Sequence, residues 1–500
     1  MTRYSIAPLT ASIAVFAAPA FAQELTFNLE PIIVQVSSLL PVEQTHTGAN
    51  IEILEGAEAG QNDTRVIDRL ARLPGVNLIS NGGLGALSTI QVRGLPARYV
   101  GVHINGIDVS DPSGTQNQFN FGGFTASGVE RIELLKGSQS AIFGSEAIAG
   151  VVNITTFEPS ELGFSGRAQA EAGSFDTYSG SLSLGHRTER GFVALSYGRM
   201  ESEGISAQSF NTENDGFEQS TLHLTGEYVV TDAVTVGGAL LYRDGRSEFD
   251  RSAFALDSSG TLSSKERGAR LFTELNTGAI THTLSYAYFD IDRKDPGGAT
   301  PRFKGERWSL SYLGSAQLTA SASLNLGLDH TQEEVNSGTV RGSEDNTSIM
   351  AELLISPSDQ VDLSASLRHD ENSSFGGQVT GRLTAVYRPQ DDLAVRASVG
   401  TGYRAPSLYE RFSAFGDPSL QPEHSLSYEL GVEKTFVGRG SIKATLFYTD
   451  VEDLIDYDPA AVACGSGFGC YNQVPGTTTS KGIELSGLYS MSERFSLYMA

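Results

Sequence analysis

Apolar and polar residues alternate one by one along most of the chain beyond about residue 163. Residues 222–230 place Leu, Leu, Gly, Tyr and Val on one face and mostly polar residues on the other, and 361–368, 393–400 and 441–448 repeat the pattern. A period of two is typical of β-strands with one apolar and one polar face. The C-terminal two thirds of the chain therefore predict a long series of such strands.

The connections between these strands also alternate in length. The short ones are 187–190, 231–232, 277–278, 319–321, 356–360, 388–392, 436–440 and 491–494, and the long ones are 204–216, 251–266, 293–306, 335–346, 403–424 and 451–477. A soluble β-sandwich explains the two faces but not this alternation. An antiparallel transmembrane β-barrel with short turns on one side and long loops on the other explains both.

The predicted barrel covers residues 163–500, with sixteen strands and the start of a seventeenth at 495–500. A barrel in lipid has to close, because an unpaired edge strand leaves backbone groups without hydrogen-bond partners in hydrocarbon. We therefore expect this sequence to stop short of the protein's natural end.

The N-terminal region differs in texture. Residues 1–22 resemble a secretory signal with a small-x-small cleavage pattern at Ala20-Phe21-Ala22, and they are too short for a membrane anchor. Residues 23–47 form a connecting segment, and 48–156 predict a mixed α/β unit. In that unit we expect a helix over 68–73, which Pro74-Gly75 ends, and strands over 90–93, 100–104, 129–134 and 151–154.

Charge and composition exclude several classes of function. The 500 residues include 35 basic and 59 acidic side chains, a net charge of −24, which excludes a nucleic-acid-binding protein. Two cysteines exclude a disulfide scaffold and a multi-cysteine zinc module. The chain has no phosphate-binding Gly-rich loop, Gly-x-Ser-x-Gly elbow or His-Glu-x-x-His motif, so we predict that it is not an enzyme and has no catalytic residues.

Specific motifs then resemble those of TonB-dependent outer-membrane receptors, most closely the receptors for cobalamin. In the α/β unit these motifs are 72–76, 81–83, 93–94, 129–133 and 136–154. In the barrel they are 214–217, 402–406, 416–423 and 453–458. The resemblance spans roughly residues 28–500.

The resemblance implies that the α/β unit is a plug in the lumen of a barrel with 22 strands when complete. It also implies a monomer in the outer membrane of a Gram-negative bacterium, in contact with lipid and lipopolysaccharide. The function that it implies is active uptake of a large, scarce chelate such as cobalamin, energised by TonB with the ExbB–ExbD complex and without a required cofactor. Haem and ferric-siderophore receptors remain alternatives, although no histidine lies between Ala405 and Asp417, where haem receptors place an iron ligand.

The resemblance also places the TonB box, the segment that TonB pulls. Its best match departs from the usual pattern at the second and sixth positions and consists of Glu30, Pro31, Ile32, Ile33, Val34, Gln35 and Val36. An extended apolar segment on a tether is suited to adding a strand to a partner's sheet. The alternative is an ordinary linker strand.

Cargo contacts are expected at two apices of the plug, 81–88 and 111–118. The predicted contact residues are Asn81, Leu87, Ser88, Thr115 and Gln116. Four of these side chains can form hydrogen bonds with a polar ligand, and Leu87 supplies an apolar contact. Each of them also has a simpler explanation as a turn-forming residue.

The resemblance also implies a calcium-binding site in the external loops. The region around Glu213, Asp215, Asp244 and Asp250 resembles a calcium-binding region of cobalamin receptors, and hard carboxylate oxygens are what calcium prefers. A solvated acidic loop is the alternative. Cys464 and Cys470 lie in the last long loop, and in an exported protein we expect them to form a local disulfide.

Overall fold

The computed structural model describes residues 32–35, 37–55, 65–206, 208, 213–251, 259–298, 300–338, 340–461, 464–492 and 494–500. The predicted signal peptide and three residues of the predicted TonB box (Glu30, Pro31 and Val36) lie outside this described part.

The N-terminal region is built of short elements around one sheet. They are β1 (Ile33–Val34), β2 (Val42–Glu43), β3 (Ile51–Glu55), α1 (Val66–Leu70), β4 (Val76–Ser80), β5 (Ser88–Val92), β6 (Val100–Ile104), β7 (Ile107–Asp108), β8 (Val129–Lys136), α2 (Ser140–Phe143) and β9 (Gly150–Thr156). The sheet has the order β3-β8-β9-β6-β7, in which only β6 and β9 are parallel. Strands β4 and β5 form a separate hairpin, and β1 pairs with β2.

The predicted helix over 68–73 is displaced. Helix α1 begins at Val66 and ends at Leu70, and it buries Val66, Ile67 and Leu70. Burial of these apolar residues against the sheet extends the helix toward its N-terminus. Its end moves back because the residue before a proline disfavours helical geometry, and Leu73 precedes Pro74.

The described residues from Gly163 onward include an antiparallel sheet of 17 strands in chain order. The first eight are β10 (Gly163–Gly173), β11 (Thr177–Thr188), β12 (Gly191–Ser202), β13 (Phe217–Thr231), β14 (Val234–Asp250), β15 (Ser259–Asn276), β16 (Ile280–Lys294) and β17 (Arg302–Thr319). The next seven are β18 (Ala322–Ser337), β19 (Val340–Ser358), β20 (Val361–Asn372), β21 (Gly376–Gln390), β22 (Leu393–Arg404), β23 (Glu423–Phe436) and β24 (Gly440–Glu452). The last two are β27 (Thr477–Ser492) and β28 (Phe495–Met499). The predicted barrel fold and its strand count are confirmed, and 22 strands for a complete barrel stays a prediction.

The long connections carry three further elements. Helix α3 (Leu408–Phe412) follows β22, and the hairpin of β25 (Ile455–Asp458) and β26 (Cys470–Gln473) lies between β24 and β27. Several loops are shorter than predicted, because β14 to β19 continue as paired ribbons beyond the apolar belt. Within the predicted loop 335–346, for example, β18 runs to Ser337 and β19 begins at Val340. The outward face of this ribbon is polar, while its other face buries Val335 and Val340 beside Leu408 of α3. The apolar outward positions that mark the lipid-facing belt are therefore absent, and the sequence pattern misses the ribbon.

The barrel surrounds the plug, and the two share a core. The main apolar cluster joins plug residues such as Tyr99 and Phe124 to the inward barrel residues Leu241, Phe289 and Val451. The outward face is apolar and exposed, as the strand pattern requires for contact with lipid. None of the helices in the described part of the chain is long and apolar enough to cross a bilayer.

Candidate functional site

The segment that precedes the plug sheet is docked on strand β8. The carbonyl of Ile33 accepts a hydrogen bond from Arg131 Nη2 at 2.6 Å. The backbone N–H of Gln35 donates to both carboxylate oxygens of Glu133, at 3.2 and 3.1 Å. Val34 is fully buried in a small apolar cluster of the plug. The described part of the predicted TonB box therefore lies against the plug, with its polar backbone groups held by two charged side chains.

The residues that follow the box are tied to the barrel wall. Ser38 Oγ and the N–H of Leu39 donate to Glu352 Oε2 at 2.5 and 2.9 Å. Arg382 Nη1 donates to the carbonyl of Ser37 at 3.1 Å. A pull on the box would therefore act both on β8 of the plug and on the inner wall of the barrel.

A buried group of charges joins the plug to the barrel, and we call it the ion-pair anchor (Arg93, Lys136, Glu429 and Glu484). Arg93 follows β5 and lies 3.0 Å from both Glu429 of β23 and Glu484 of β27. Lys136 at the end of β8 lies 3.4 Å from Glu484. The arginine is 3% exposed and the lysine is fully buried. Burial opposes the charge of Arg93, but Glu429 and Glu484 together raise its pKa.

Two glycines make room for the anchor. Gly75 and Gly137 have φ values of 70° and 77°, in the region that favours glycine. A Cβ at Gly75 would come within 1.9 Å of Glu484 Oε1, and a Cβ at Gly137 would come equally close to Glu429 Oε1. These glycines let the barrel carboxylates approach the plug backbone and reach the buried cations.

The plug apices hold the predicted cargo contacts in different environments. Asn81 and Thr115 are exposed, and the Leu87 side chain is 40% exposed. Gln116 is partly buried and accepts a hydrogen bond from Arg98 at 3.3 Å. These four residues remain available at the surface of the plug.

Ser88 lies inside the plug. It is fully buried, and its hydroxyl is 2.8 Å from Ser80 Oγ and donates to the carbonyl of Ala86 at 3.1 Å. Its N–H donates to Asn120 Oδ1 at 3.0 Å. This placement corrects the predicted cargo contact at Ser88, which instead closes the β4–β5 hairpin.

The loop after β22 is fixed over the plug by a buried ion triad. Arg404 Nη1 lies 2.9 Å from Glu410 of α3, and its Nε contacts Glu423, with all three side chains at most 1% exposed. Ser407 caps α3 and donates to the carbonyl of Thr115 at 2.9 Å. The loop therefore contacts the second apex of the plug.

An aromatic cluster lies beside this loop at the outer mouth. Tyr471 of β26 packs edge-on against Tyr457 of β25 at 5.6 Å and against Tyr409 of α3 at 6.4 Å. Phe415 packs against Tyr457 at 6.0 Å. Burial raises the pKa of Tyr471 to about 12, so its phenol stays protonated. The cluster presents aromatic ring edges beside the α3 loop, and the Tyr457 hydroxyl donates to the carbonyl of Phe468.

The last long loop is closed by a disulfide between Cys464 and Cys470. It joins the start of β26 to the preceding turn. Phe468, between the two cysteines, is 76% exposed. The bridge stiffens a loop that carries part of the aromatic cluster.

Three of the four predicted calcium ligands come together. Carboxylate oxygens of Glu213, Asp215 and Asp250 lie within 4.8 Å of one another. Ser206 Oγ donates to Asp250 at 3.1 Å. Asp244 lies outside this group, because it accepts a hydrogen bond from Tyr242 at 3.0 Å and pairs with Lys265 at 3.0 Å.

A polar cavity of about 120 Å³ lies between the plug and the barrel wall. Its lining includes Asp108, Glu146, Arg307 and Glu333, and Arg307 lies 3.1 Å from Asp108. Asn117 Nδ2 donates to Glu146 at 2.6 Å. Burial raises the pKa of Glu146 to about 8, with Glu333 and Asp108 acting in the same direction and Arg307 against it.

We expect Glu146 to make the receptor less stable as the pH rises from about 4.5 to 8. In this window the native carboxyl holds a proton that the unfolded chain has released, so the free energy of unfolding falls with pH. The effect is a few kcal/mol at most, at about 1.4 kcal/mol per pKa unit. Glu146→Gln should remove this part of the slope in Tm measured between pH 5 and 8. Glu161→Gln, at an exposed position, is the control, and an unchanged slope in Glu146→Gln would contradict the assignment.

Comparison with known families decides the identity of this architecture. The family model described as "TonB dependent receptor-like, beta-barrel" matches residues 160–500, and "TonB-dependent Receptor Plug Domain" matches residues 44–151. The chain belongs to the TonB-dependent receptor family. The family consists of outer-membrane β-barrel receptors and not of enzymes.

Two curated relatives of this receptor have a common name. "Vitamin B12 transporter BtuB" of Photobacterium profundum is 29% identical over 416 residues, which are 80% of this chain and 66% of the relative. The protein of the same name from Vibrio vulnificus is 26% identical over 469 residues, 88% of this chain and 72% of the relative. The chain spans about two thirds of the length of the first relative.

Solved structures share the fold of the receptor. The siderophore receptor PirA from Pseudomonas aeruginosa matches with a TM-score of 0.71 and 19% identity, over 89% of this chain and 82% of that one. PirA from Acinetobacter baumannii matches with a TM-score of 0.73 and 16% identity, over 90% and 80%. At these identities the likeness establishes the fold alone.

The sequence motifs that contain Arg93 and Lys136 did not predict the ion-pair anchor. A signal was present on the plug side, where Pro74-Gly75 and Lys136-Gly137 place glycines beside the positions that approach the barrel. Glu429 and Glu484 gave no such signal, because glutamates are common on the polar, inward face of barrel strands.

Proposed function

We propose that this receptor is a TonB-dependent transporter that takes up cobalamin, a large and scarce nutrient, across the outer membrane of a Gram-negative bacterium. The observation that supports cobalamin as the cargo is the similarity to two vitamin B12 transporters over 80% and 88% of the chain. The plug supports active transport, because a lumen filled by a folded unit does not pass a large solute passively.

The proposed energy source is TonB, driven by the ExbB–ExbD complex. TonB captures the box by adding a strand to it, which requires Ile33 and Val34 to leave their pairing with β2. Release also breaks the hydrogen bonds to Arg131 and Glu133. The pull then acts on β8 and opens a path along the plug. No catalytic residue and no required cofactor enter this cycle.

The proposed cargo surface joins the plug apices to the mouth loops. Asn81, Leu87, Thr115 and Gln116 lie at the plug surface. The α3 loop contacts the second apex through Ser407, so the loops and the apex form one continuous wall. A ligand seated there touches both the barrel and the plug, which allows its binding to be sensed at the box.

The cargo is tested by equilibrium binding of purified receptor to cyanocobalamin, haemin and a ferric siderophore. We expect saturable binding of cyanocobalamin that the other two do not displace. If haemin or the siderophore binds saturably and cyanocobalamin does not bind, cobalamin is not the cargo. The assignment to the class of TonB-dependent transporters would still stand.

A ferric siderophore is the second candidate, and the aromatic cluster is the observation that favours it. Tyr409, Tyr457 and Tyr471 present ring edges and hydroxyls that suit a ligand with aromatic groups. Haem is less favoured, because no histidine occurs between Ala405 and Asp417.

Calcium is proposed as a structural ligand of the external loops. The donors are Glu213, Asp215 and Asp250, whose hard oxygens lie within 4.8 Å of one another. An ion there would join the loop after β12 to the upper end of β14 and order the mouth.

We expect calcium to raise the Tm of the receptor by several degrees, since a ligand that binds only the native state stabilises it. Asp215→Asn should abolish this shift. Asp244→Asn, which lies outside the three-carboxylate group, should retain it. The measurement is thermal unfolding with calcium and with chelator, and equal Tm values for the wild-type receptor in the two buffers would rule out the site.

We also propose that the receptor is monomeric, because the plug fills the lumen formed by the barrel strands of its own chain. Its outward apolar face then contacts lipid, and its loops contact lipopolysaccharide.

A further inference from the structure

The lipid-facing surface of the barrel has a notch. Gly226 of β13 is paired with Gly238 of β14, and both belong to the outward-facing set of their strands. Val193 of β12 is paired with Gly226, and Leu271 of β15 with Gly238. Two adjacent outward positions without side chains thus lie between two exposed apolar ones. The result is a cavity of about 790 Å³ on the outer face.

The lining of the notch is mostly apolar, although Glu227 and two threonines also border it. Tyr228 and Val236 pair directly, two residues nearer the short turns, and form its lower wall. Val193 and Leu271 are 52% and 65% exposed, so they border the notch without closing it. This mostly apolar lining suits a hydrocarbon chain.

The lower end of the notch carries positive charge. Arg190 lies in the short turn between β11 and β12, and its guanidinium is 5.5 Å from the ring centre of Tyr228. Its Nε and Nη2 donate to the carbonyls of Val229 and Val230 at 3.0 and 2.6 Å. Among the described residues no carboxylate pairs with it, so its charge is fixed beside the notch and is available to an anion.

We propose that this notch is a binding site for one phospholipid, with an acyl chain against Gly226 and Gly238 and the phosphate at Arg190. The outward face of the barrel contacts lipid along its apolar belt, so hydrocarbon is the solvent that fills the notch. The cation lies at the end with short turns, where the belt meets the headgroups of the periplasmic leaflet. The apolar part of the notch therefore matches the acyl chain of a phospholipid, and the positive charge of Arg190 matches its phosphate.

The test is native mass spectrometry of the purified receptor after mixing with phosphatidylglycerol in detergent. The wild-type receptor should retain one lipid. Leu271→Trp or Val193→Trp, which fill the notch from its borders, should lower the retained fraction about tenfold. Leu446→Trp is the control, because Leu446 is a 49% exposed residue of the outer face that does not line the notch.

The headgroup contact is tested separately. Arg190→Glu should abolish the preference for phosphatidylglycerol over diacylglycerol. Arg439→Glu, in the short turn between β23 and β24, should keep this preference. Equal retention by the wild-type receptor and both tryptophan variants would overturn the proposal. A receptor dimer that Leu271→Trp dissociates would also overturn it and would assign the notch to a second copy of the chain.

Discussion

A receptor that lacks residues 30–36 will bind cargo at the cell surface as tightly as the wild-type receptor and will take up none. Binding survives because the plug apices and mouth loops do not include this segment. Uptake fails because the segment is the proposed handle for TonB, and its described part is linked to β8 through Arg131 and Glu133. The measurements are surface binding and accumulation of labelled cyanocobalamin in the same cells.

A single substitution makes this test more specific. Val34→Pro should also abolish uptake, because proline cannot donate the hydrogen bond that strand addition requires. Val437→Pro, at a 91% exposed position in the short turn after β23 and outside the box, is the matched control and should retain uptake. Uptake that survives the deletion would show that the segment is an ordinary linker strand.

Arg93→Ala should destabilise the docking of the plug by about 3–5 kcal/mol, the usual cost of removing one partner of a buried ion pair. Glu429 and Glu484 would then remain buried without the cation that they share, although Lys136 still lies 3.4 Å from Glu484. We expect a lower Tm, faster proteolysis of the plug and entry of large antibiotics through the barrel. Antibiotic sensitivity of whole cells and Tm of the purified receptor measure the effect.

Two variants separate electrostatics from packing. Arg199→Ala removes an exposed ion pair with Glu218 and should change Tm little, because such pairs contribute below about 1 kcal/mol. Arg93→Met combined with Glu429→Gln should recover part of the lost stability, since this pair of buried charges is then absent while Glu484 keeps Lys136 as its partner. If Arg93→Ala has the same Tm as the wild-type receptor, the ion-pair anchor does not stabilise the docking of the plug.

The barrel was predictable because lipid outside and water inside force a period of two on every strand. The same physics explains where prediction failed. Strands β18 and β19 extend through the predicted loop 335–346, where the outward face no longer meets lipid and the other face packs on α3. The displaced helix α1 follows from burial of Val66 and Ile67, which depends on the plug core and not on local pattern.

The site was less predictable than the fold. The sequence indicated acidic residues for calcium, but strand direction decides which of them meet, and Asp244 pairs with Lys265 instead. The resemblance predicts Ser88 as a cargo contact because it lies at the first apex and can form hydrogen bonds, yet Ser80 and Ala86 engage its hydroxyl inside the plug. Contacts between residues far apart in the chain, such as Arg93 with Glu484, leave no local pattern.

The most direct test of energised cobalamin transport is to measure the accumulation of labelled cyanocobalamin in cells. These cells have this protein as their only cobalamin receptor. Two strains are compared, one with TonB and one without. We predict accumulation far above the surface-bound amount with TonB, and only the surface-bound amount without it. Equal accumulation in both strains would contradict TonB-dependent transport, and no accumulation in either would contradict cobalamin as the cargo.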